Sequence, residues 1–407
     1  VSADQIAALG RMVEQTQAVF GAPPFKHYEI LARLEPDGST GGTEHRSSSE
    51  ITLPATYFSQ WSQQLNGRDI LPHEFVHAWN GIYRRPAGQV AATPNEPLSS
   101  ELLWIYEGQT EFWGRVLAAR SGLRTLQETR DQIALDAAAV AGAAGRQWKS
   151  LDDDVNYPAF MLGRPVPWRD WQRRRDYYQE GVLLWLNVES ALREQSGGRK
   201  GLDDVARRMF ADAPDDATVL PYTIEDWVDT LNAVAPGDWR AWLASRITGH
   251  GEVDLLAGLH ALGWRLVFSD TPTETDRQSA AEYGVTDLAW SIGLTADRAG
   301  RLRSVAWQGP AFVAGMAPGN RLLKVGDVAY SPAALTEAVR QATDHPVVLS
   351  FEQDGQVLTR TLNYQGPLRH PRLERIEGQP DRLGDLLAAR SVPSVAAGGT
   401  GRPGRGR

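Results

Sequence analysis

The chain has 407 residues, enough for two or three domains rather than one small one. Its 42% hydrophobic and 23% charged residues are ordinary for a globular protein, and a net charge of −8 argues against a general nucleic-acid binder. Cysteine is absent, so disulfides and thiolate metal ligands are excluded and any metal must be held by His and carboxylates.

Ala3 to Phe20 carries apolar residues at helical spacing, and Gly21-Ala22-Pro23-Pro24 ends that helix. Tyr28 to Leu34 reads as a strand, closed by a turn at Pro36-Asp37-Gly38. Gly41-Gly42-Thr43-Glu44 follows as a second, edge strand. Its two glycines admit another backbone, and the Glu44 carboxylate can receive the free amino group of a peptide lying alongside. A Gly-rich hairpin with a solvated Glu reads the same way. Residues 55–66 look helical.

The next stretch, Leu71 to Asn80, contains His73-Glu74-Phe75-Val76-His77, an H-E-x-x-H pattern. On a helix, positions four apart share a face, so two neutral imidazoles can share a zinc ion while Glu74 takes a proton from a water beside it. Two hydrogen-bonded histidines in a buried helix would give the same spacing. Glu101 to Ala119 is a second long helical pattern. Within it Glu107, thirty residues after His77, has the spacing of a third ligand, and Glu111, one turn on, can fix the tautomer of a ligating imidazole.

Residues 123–150 are Ala-rich and helical, and residues 156–170 form a Pro- and Trp-containing loop suited to a cleft wall. Tyr177 and Tyr178 stand at the mouth of a helix running from Val182 to Arg193, where a phenol can either donate to an oxyanion or pack into the core. Residues 202–211, 224–234 and 239–248 are amphipathic helices. From Gly263 the period changes to short strands around a helix at Leu335 to Ala342, a β-rich module of roughly 100 residues. After Tyr364 the composition shifts to Arg, Pro and Gly, and residues 391–407 read as disordered tail. No apolar run is long enough to span a bilayer. Opening at Val1 without a signal-peptide pattern, the chain reads as a processed or trimmed form. Its compartment is open, with periplasmic or secreted placed ahead of cytoplasmic.

Four segments in order resemble the glycyl aminopeptidase family of gluzincin zinc metallopeptidases: Gly41-Gly42-Thr43-Glu44-His45, His73 to Asn80, Leu103 to Thr110 with its Trp-x-x-Glu-Gly-x-Thr pattern, and Tyr177-Tyr178-Gln179-Glu180-Gly181. The resemblance implies an α+β multidomain chain. Residues 1–262 would be a thermolysin-like, mostly helical catalytic domain with an N-terminal edge-strand β region. Residues 263–366 would be a PDZ-like domain and residues 367–407 a tail. Gly309 to Asn320 is similar to a PDZ stretch, and Ser291-Ile292-Gly293-Leu294 would be the loop whose N–H groups receive a peptide C-terminus.

The resemblance also implies Zn2+ on His73, His77 and Glu107, with Glu74 as general base and Tyr178, rather than Tyr177, at the oxyanion. Gly41, Gly42 and Glu44 would bind the substrate's N-terminus, with Glu111 behind the metal and a preference for Gly or Ala. Peptides with a free N-terminus are the expected partners, with a zinc endopeptidase or an inactive peptide-binding adaptor as the alternatives. Glu180 stands where the family has Lys, Asn320 where PDZ has Asp, and Thr43 where the family has Leu; the family's N-terminal β-rich domain is not in the sequence.

Overall fold

The computed structural model describes residues 1–36, 38, 40–157, 166–211, 218–251 and 253–391. The Pro36–Gly38 turn, much of the 156–170 loop and the tail beyond 391 therefore lie wholly or partly outside the described residues. The architecture is mixed α+β. Helix α1 (Ala3–Phe20) opens with a capping box between Ser2 and Gln5. Three strands follow, β1 (Glu29–Glu35), β2 (Gly41–Glu44) and β3 (Ser48–Pro54), in the order β1-β3-β2. β1 runs parallel to β3 and β2 antiparallel to it, which leaves β2 with an open edge.

Residues 55–66 are not a helix. They form turns and a short 3-10 segment, Trp61–Gln63, pinned by the Arg68 guanidinium stacked 4.2 Å over Trp61. Helix α2 (Ile70–Val76) comes next. Pro72 sits in its first turn, where a missing N–H costs nothing. The helix is short and buried on all sides, with Leu71, Phe75 and Val76 in the core. The long helix expected from Glu101 is broken in two, Leu103–Tyr106 and Gly108–Ser121, with Glu107 at the junction. Close packing accompanies the interruption. Gly108 lies against Gly181 of the helix Gln179–Gln195, and a Cβ on either would run into the other's backbone.

Around these elements six fully buried tryptophans, Trp79, Trp104, Trp113, Trp185, Trp227 and Trp239, build one large core. A second, separate core uses only residues between Leu288 and Leu368. Its strands include Val285–Leu288, Leu294–Asp297 and Leu302–Val305, which pair in that order, and a four-stranded sheet. The polypeptide then returns. His370–Arg375 pairs antiparallel with Trp264–Ser269, and the helix Arg382–Leu387 packs Leu383, Leu386 and Leu387 into the first core. Of the segment after residue 366, expected as tail, Leu368 belongs to the second core and the stretch from His370 packs with the first as far as Arg390, whose guanidinium reaches Asp203 at 2.5 Å.

Two details of the second core bear on the sequence reading. The N–H groups of Ser291, Ile292 and Gly293 all converge on the Leu288 carbonyl at 3.1 Å, and Leu294–Asp297 has a strand on each edge. Three of that loop's N–H groups are thus already engaged within the chain. Asn320 is at home in its turn, since its side-chain oxygen accepts the Ala317 N–H at 2.9 Å.

Candidate metal centre

His77 closes α2 in helical conformation and donates its N–H to the His73 carbonyl at 3.3 Å, so the two rings share one face. His73 Nε2 and His77 Nε2 are 3.1 Å apart, and Glu107 Oε2 lies 3.5 Å from each. The other ring nitrogens are engaged behind. His77 Nδ1 faces the Asn80 carbonyl at 3.0 Å, and His73 Nδ1 faces Glu111 Oε2 at 2.8 Å. Both partners are acceptors and favour the tautomer with the proton on Nδ1, in which each neutral Nε2 presents a lone pair. Two lone pairs and a carboxylate oxygen then converge, which requires a positive charge between them. The edges of a tetrahedral zinc site with bonds of about 2.0–2.1 Å measure roughly 3.3 Å, so the donor set fits such an ion. Without an ion, protons must serve. Burial alone would lower both histidines, but the facing Glu107, and Glu111 for His73, raise them, and His73 stands well above the usual imidazole range.

Glu111 is held from behind in turn. Arg115 reaches it at 2.6 Å and also pairs with Asp69 and Asp136, both at 3.1 Å, while Arg124 adds a contact to Asp69 at 2.9 Å. Burial would raise the Glu111 carboxyl, yet Arg115 and the His73 ring outweigh it and hold it at about 2. Asn80 locks the end of α2 by donating to the Ile105 carbonyl at 3.0 Å and accepting the Tyr222 O–H at 3.0 Å.

Glu74 points into the space in front of the histidines. Its Oε2 is buried without a hydrogen-bond partner, and burial raises its pKa. Gly42 lies against it so closely that a Cβ there would overlap the carboxylate. Glu44, on the open strand, accepts a hydrogen bond from Tyr106, and its ligand atom lies within 4.8 Å of those of Glu74 and His77. This strand and this carboxylate face His77 and Glu74 from the N-terminal side of the fold.

Residues 66–184 match the family of M61 glycyl aminopeptidases. That match spans less than a third of the chain. The matched segment carries His73, Glu74, His77, Glu107, Glu111 and Tyr178, whereas Gly41, Gly42 and Glu44 lie outside it. No curated protein matches the chain. Among solved structures, it is similar to the crystal structure of an aminopeptidase N family protein from Idiomarina loihiensis, with a TM-score of 0.74 and 19% identity. That alignment covers 94% of this chain but 66% of the other, so the chain spans about two thirds of its neighbour's length.

Tyr178 caps the helix Gln179–Gln195, with its ring 6.1 Å from the His73 ring. Arg175 donates to its oxygen at 3.2 Å, and burial raises the phenol, which stays protonated and able to donate. Tyr177 is buried beside it and does not line the cleft. Glu180, where the family carries Lys, is buried and paired with Arg173 and, at 3.5 Å, with Arg146. Glu180 therefore leaves no bare negative charge beside the cleft.

Tyr106, Asn80, Arg115 and Arg175 act at the site without having been singled out in the sequence. Tyr106 immediately precedes Glu107, and Arg115 lies one helical turn after Glu111. Only that i, i+4 spacing gave a signal.

Proposed function

We propose that the chain is a zinc-dependent aminopeptidase that removes small N-terminal residues such as Gly or Ala. The observation that carries this is the convergence of His73, His77 and Glu107 beside a buried carboxylate, Glu74, with an unpartnered oxygen. Zinc, when bound there, would acidify water and polarise the scissile carbonyl. Glu44 holds the substrate's ammonium, with Tyr106 fixing one of its oxygens. The peptide lies along the open edge of β2, which places its first carbonyl before Glu74. Glu74 takes the proton from the attacking water and passes it to the leaving amine. Tyr178 donates its O–H to the carbonyl oxygen as charge develops there, and Arg175 keeps that phenol oriented. Within this reading the first core is the thermolysin-like catalytic unit and the second is the PDZ-like module.

The test combines metal content per chain with hydrolysis of Gly- and Ala-anilides. One zinc per chain, loss of activity with chelator, and a fall of roughly 10²–10⁴-fold in kcat for Glu74→Gln are expected. N-acetylated substrates should resist cleavage. Equal cleavage of blocked and free peptides would replace the aminopeptidase with an endopeptidase, and unchanged hydrolysis in Glu74→Gln would refute the mechanism.

A further inference from the structure

The two histidines divide the cleft. On the His77 side stand Glu44 and Tyr106, whose ring lies 5.0 Å from that of His77. His73 faces the other way, towards Tyr178. It is His73, not His77, that lines a cavity of about 870 Å³ running from Gly41 and Gly42 past Glu74 and Tyr178 to Arg169, Arg174 and Arg175. A peptide whose ammonium rests on Glu44 has this cavity ahead of it for whatever follows the scissile bond.

We propose that this cavity is the leaving-side subsite and selects short peptides bearing a carboxylate beyond the scissile bond, bound by the Arg169 and Arg174 guanidiniums. The inference rests on the aminopeptidase reading above. Its first support is charge. Glu111, Asp69 and Asp136 also line the cavity, but Arg115 meets all three, and Arg124 and His73 add further contacts. Three more guanidiniums stand on the far wall, in a chain whose net charge is −8. Arg175 is engaged with Tyr178, and Arg174 has a contact of its own. A guanidinium retains several donors after one contact, and its fork matches a carboxylate in two-point geometry.

The second support is backbone strain. Trp168, Arg173 and Arg175 have φ of 50°, 46° and 63°, three non-glycine residues in the left-handed region within eight positions. Such strain persists where the surroundings enforce it. Here Arg173 is buried and pairs with Asp176 at 3.0 Å and with Glu180, and Asp154 accepts the Asp176 N–H at 2.8 Å. On the other side Trp171 stacks on Trp307 at 4.8 Å, and Asp170 accepts the Trp307 N–H at 2.7 Å. The segment bearing the arginines is thus fixed from both flanks, which lowers the entropy lost on gripping a ligand. Tyr283 and Trp290 form the facing wall.

The carboxylate can be a short peptide's own C-terminus or an Asp or Glu side chain, and four substrates separate these sources: Ala-Ala, Ala-Ala-amide, Ala-Asp-amide and Ala-Asn-amide. A C-terminal source predicts that Ala-Ala exceeds its amide in kcat/KM by roughly 10- to 100-fold. A side-chain source predicts the same margin for Ala-Asp-amide over Ala-Asn-amide. Either preference should shrink as sodium chloride is raised, a readout that needs no variant. In the Arg169→Gln/Arg174→Gln double variant the ratio should fall towards one. Equal rates for acids and neutral partners, or a ratio that survives in the double variant, would overturn this proposal alone. Failure to hydrolyse any of the four would overturn the aminopeptidase reading and this proposal with it.

Discussion

The carboxylates behind the histidines and those in front of them are kept in different company. Behind, Glu111, Asp69 and Asp136 are each met by Arg115, with Arg124 as a further cation for Asp69. In front, Glu44, Glu74 and Glu107 have no lysine or arginine partner among the described residues; Tyr106 and the two imidazoles are all they have. Both groups are in or beside the same wall. The difference teaches what each is for. A carboxylate sealed by arginine positions another group, whereas a carboxylate left without a cation costs stability and is kept for a ligand, a proton or a charged substrate.

The comparison can be broken by experiment. The largest effect is expected for Arg115→Met, which strands three buried carboxylates. Urea denaturation should show a loss of about 3–5 kcal/mol, and a loss under 1 kcal/mol would mean the rear cluster is not holding the wall. Next comes the ion itself. Zinc at a hundredfold over its Kd should stabilise the metal-free protein by about 2.7 kcal/mol, and no shift in Tm would mean the front carboxylates do not await a cation. Smaller, and opposite in sign to the first, Glu74→Gln should stabilise the metal-free protein by about 0.5–2 kcal/mol, because burial of the unpartnered carboxylate, which raises its pKa, outweighs the attraction of His73 and His77. Destabilisation there would place Glu74 with the structural group.

The smallest test is pH. Glu111 is held at about 2, below its ordinary 4.5, so it binds fewer protons folded than unfolded. Its stabilisation is complete above 4.5 and disappears as pH falls from there towards about 2. Metal-free Glu111→Gln should therefore lose less stability than the parent between pH 5 and pH 3.

Much of the rear and front chemistry could be read from the sequence because it rests on local spacing. His73 and His77 are one turn apart, as are Glu107 and Glu111, and the tryptophan-rich helices follow the helical period. What could not be read depends on contacts across long separations. Gly108 packs against Gly181, and nothing within either segment announces that contact. The helix expected over residues 55–66 is replaced by turns, with Trp61 stacked under Arg68 seven residues on. The arginine wall depends on left-handed residues that are not glycine, a conformation the sequence does not favour. The pairing of Trp264–Ser269 with His370–Arg375 joins strands about a hundred residues apart, beyond any local signal.

That last pairing has a topological consequence. Ser269 and His370 are direct partners, and the second core draws only on residues that lie between them. The whole unit is thus spliced into a hairpin, entering and leaving through neighbouring positions on one ribbon. Strands so placed are commonly joined by a two-residue turn, so the unit can be excised and the ribbon closed without cutting through the first core. What such an excision would remove is Ser279, Tyr283 and Trp290, the wall that faces the arginines. A cassette carried on a two-strand stalk therefore supplies one side of the cleft, and it is a replaceable part whose exchange would reshape what the cleft admits.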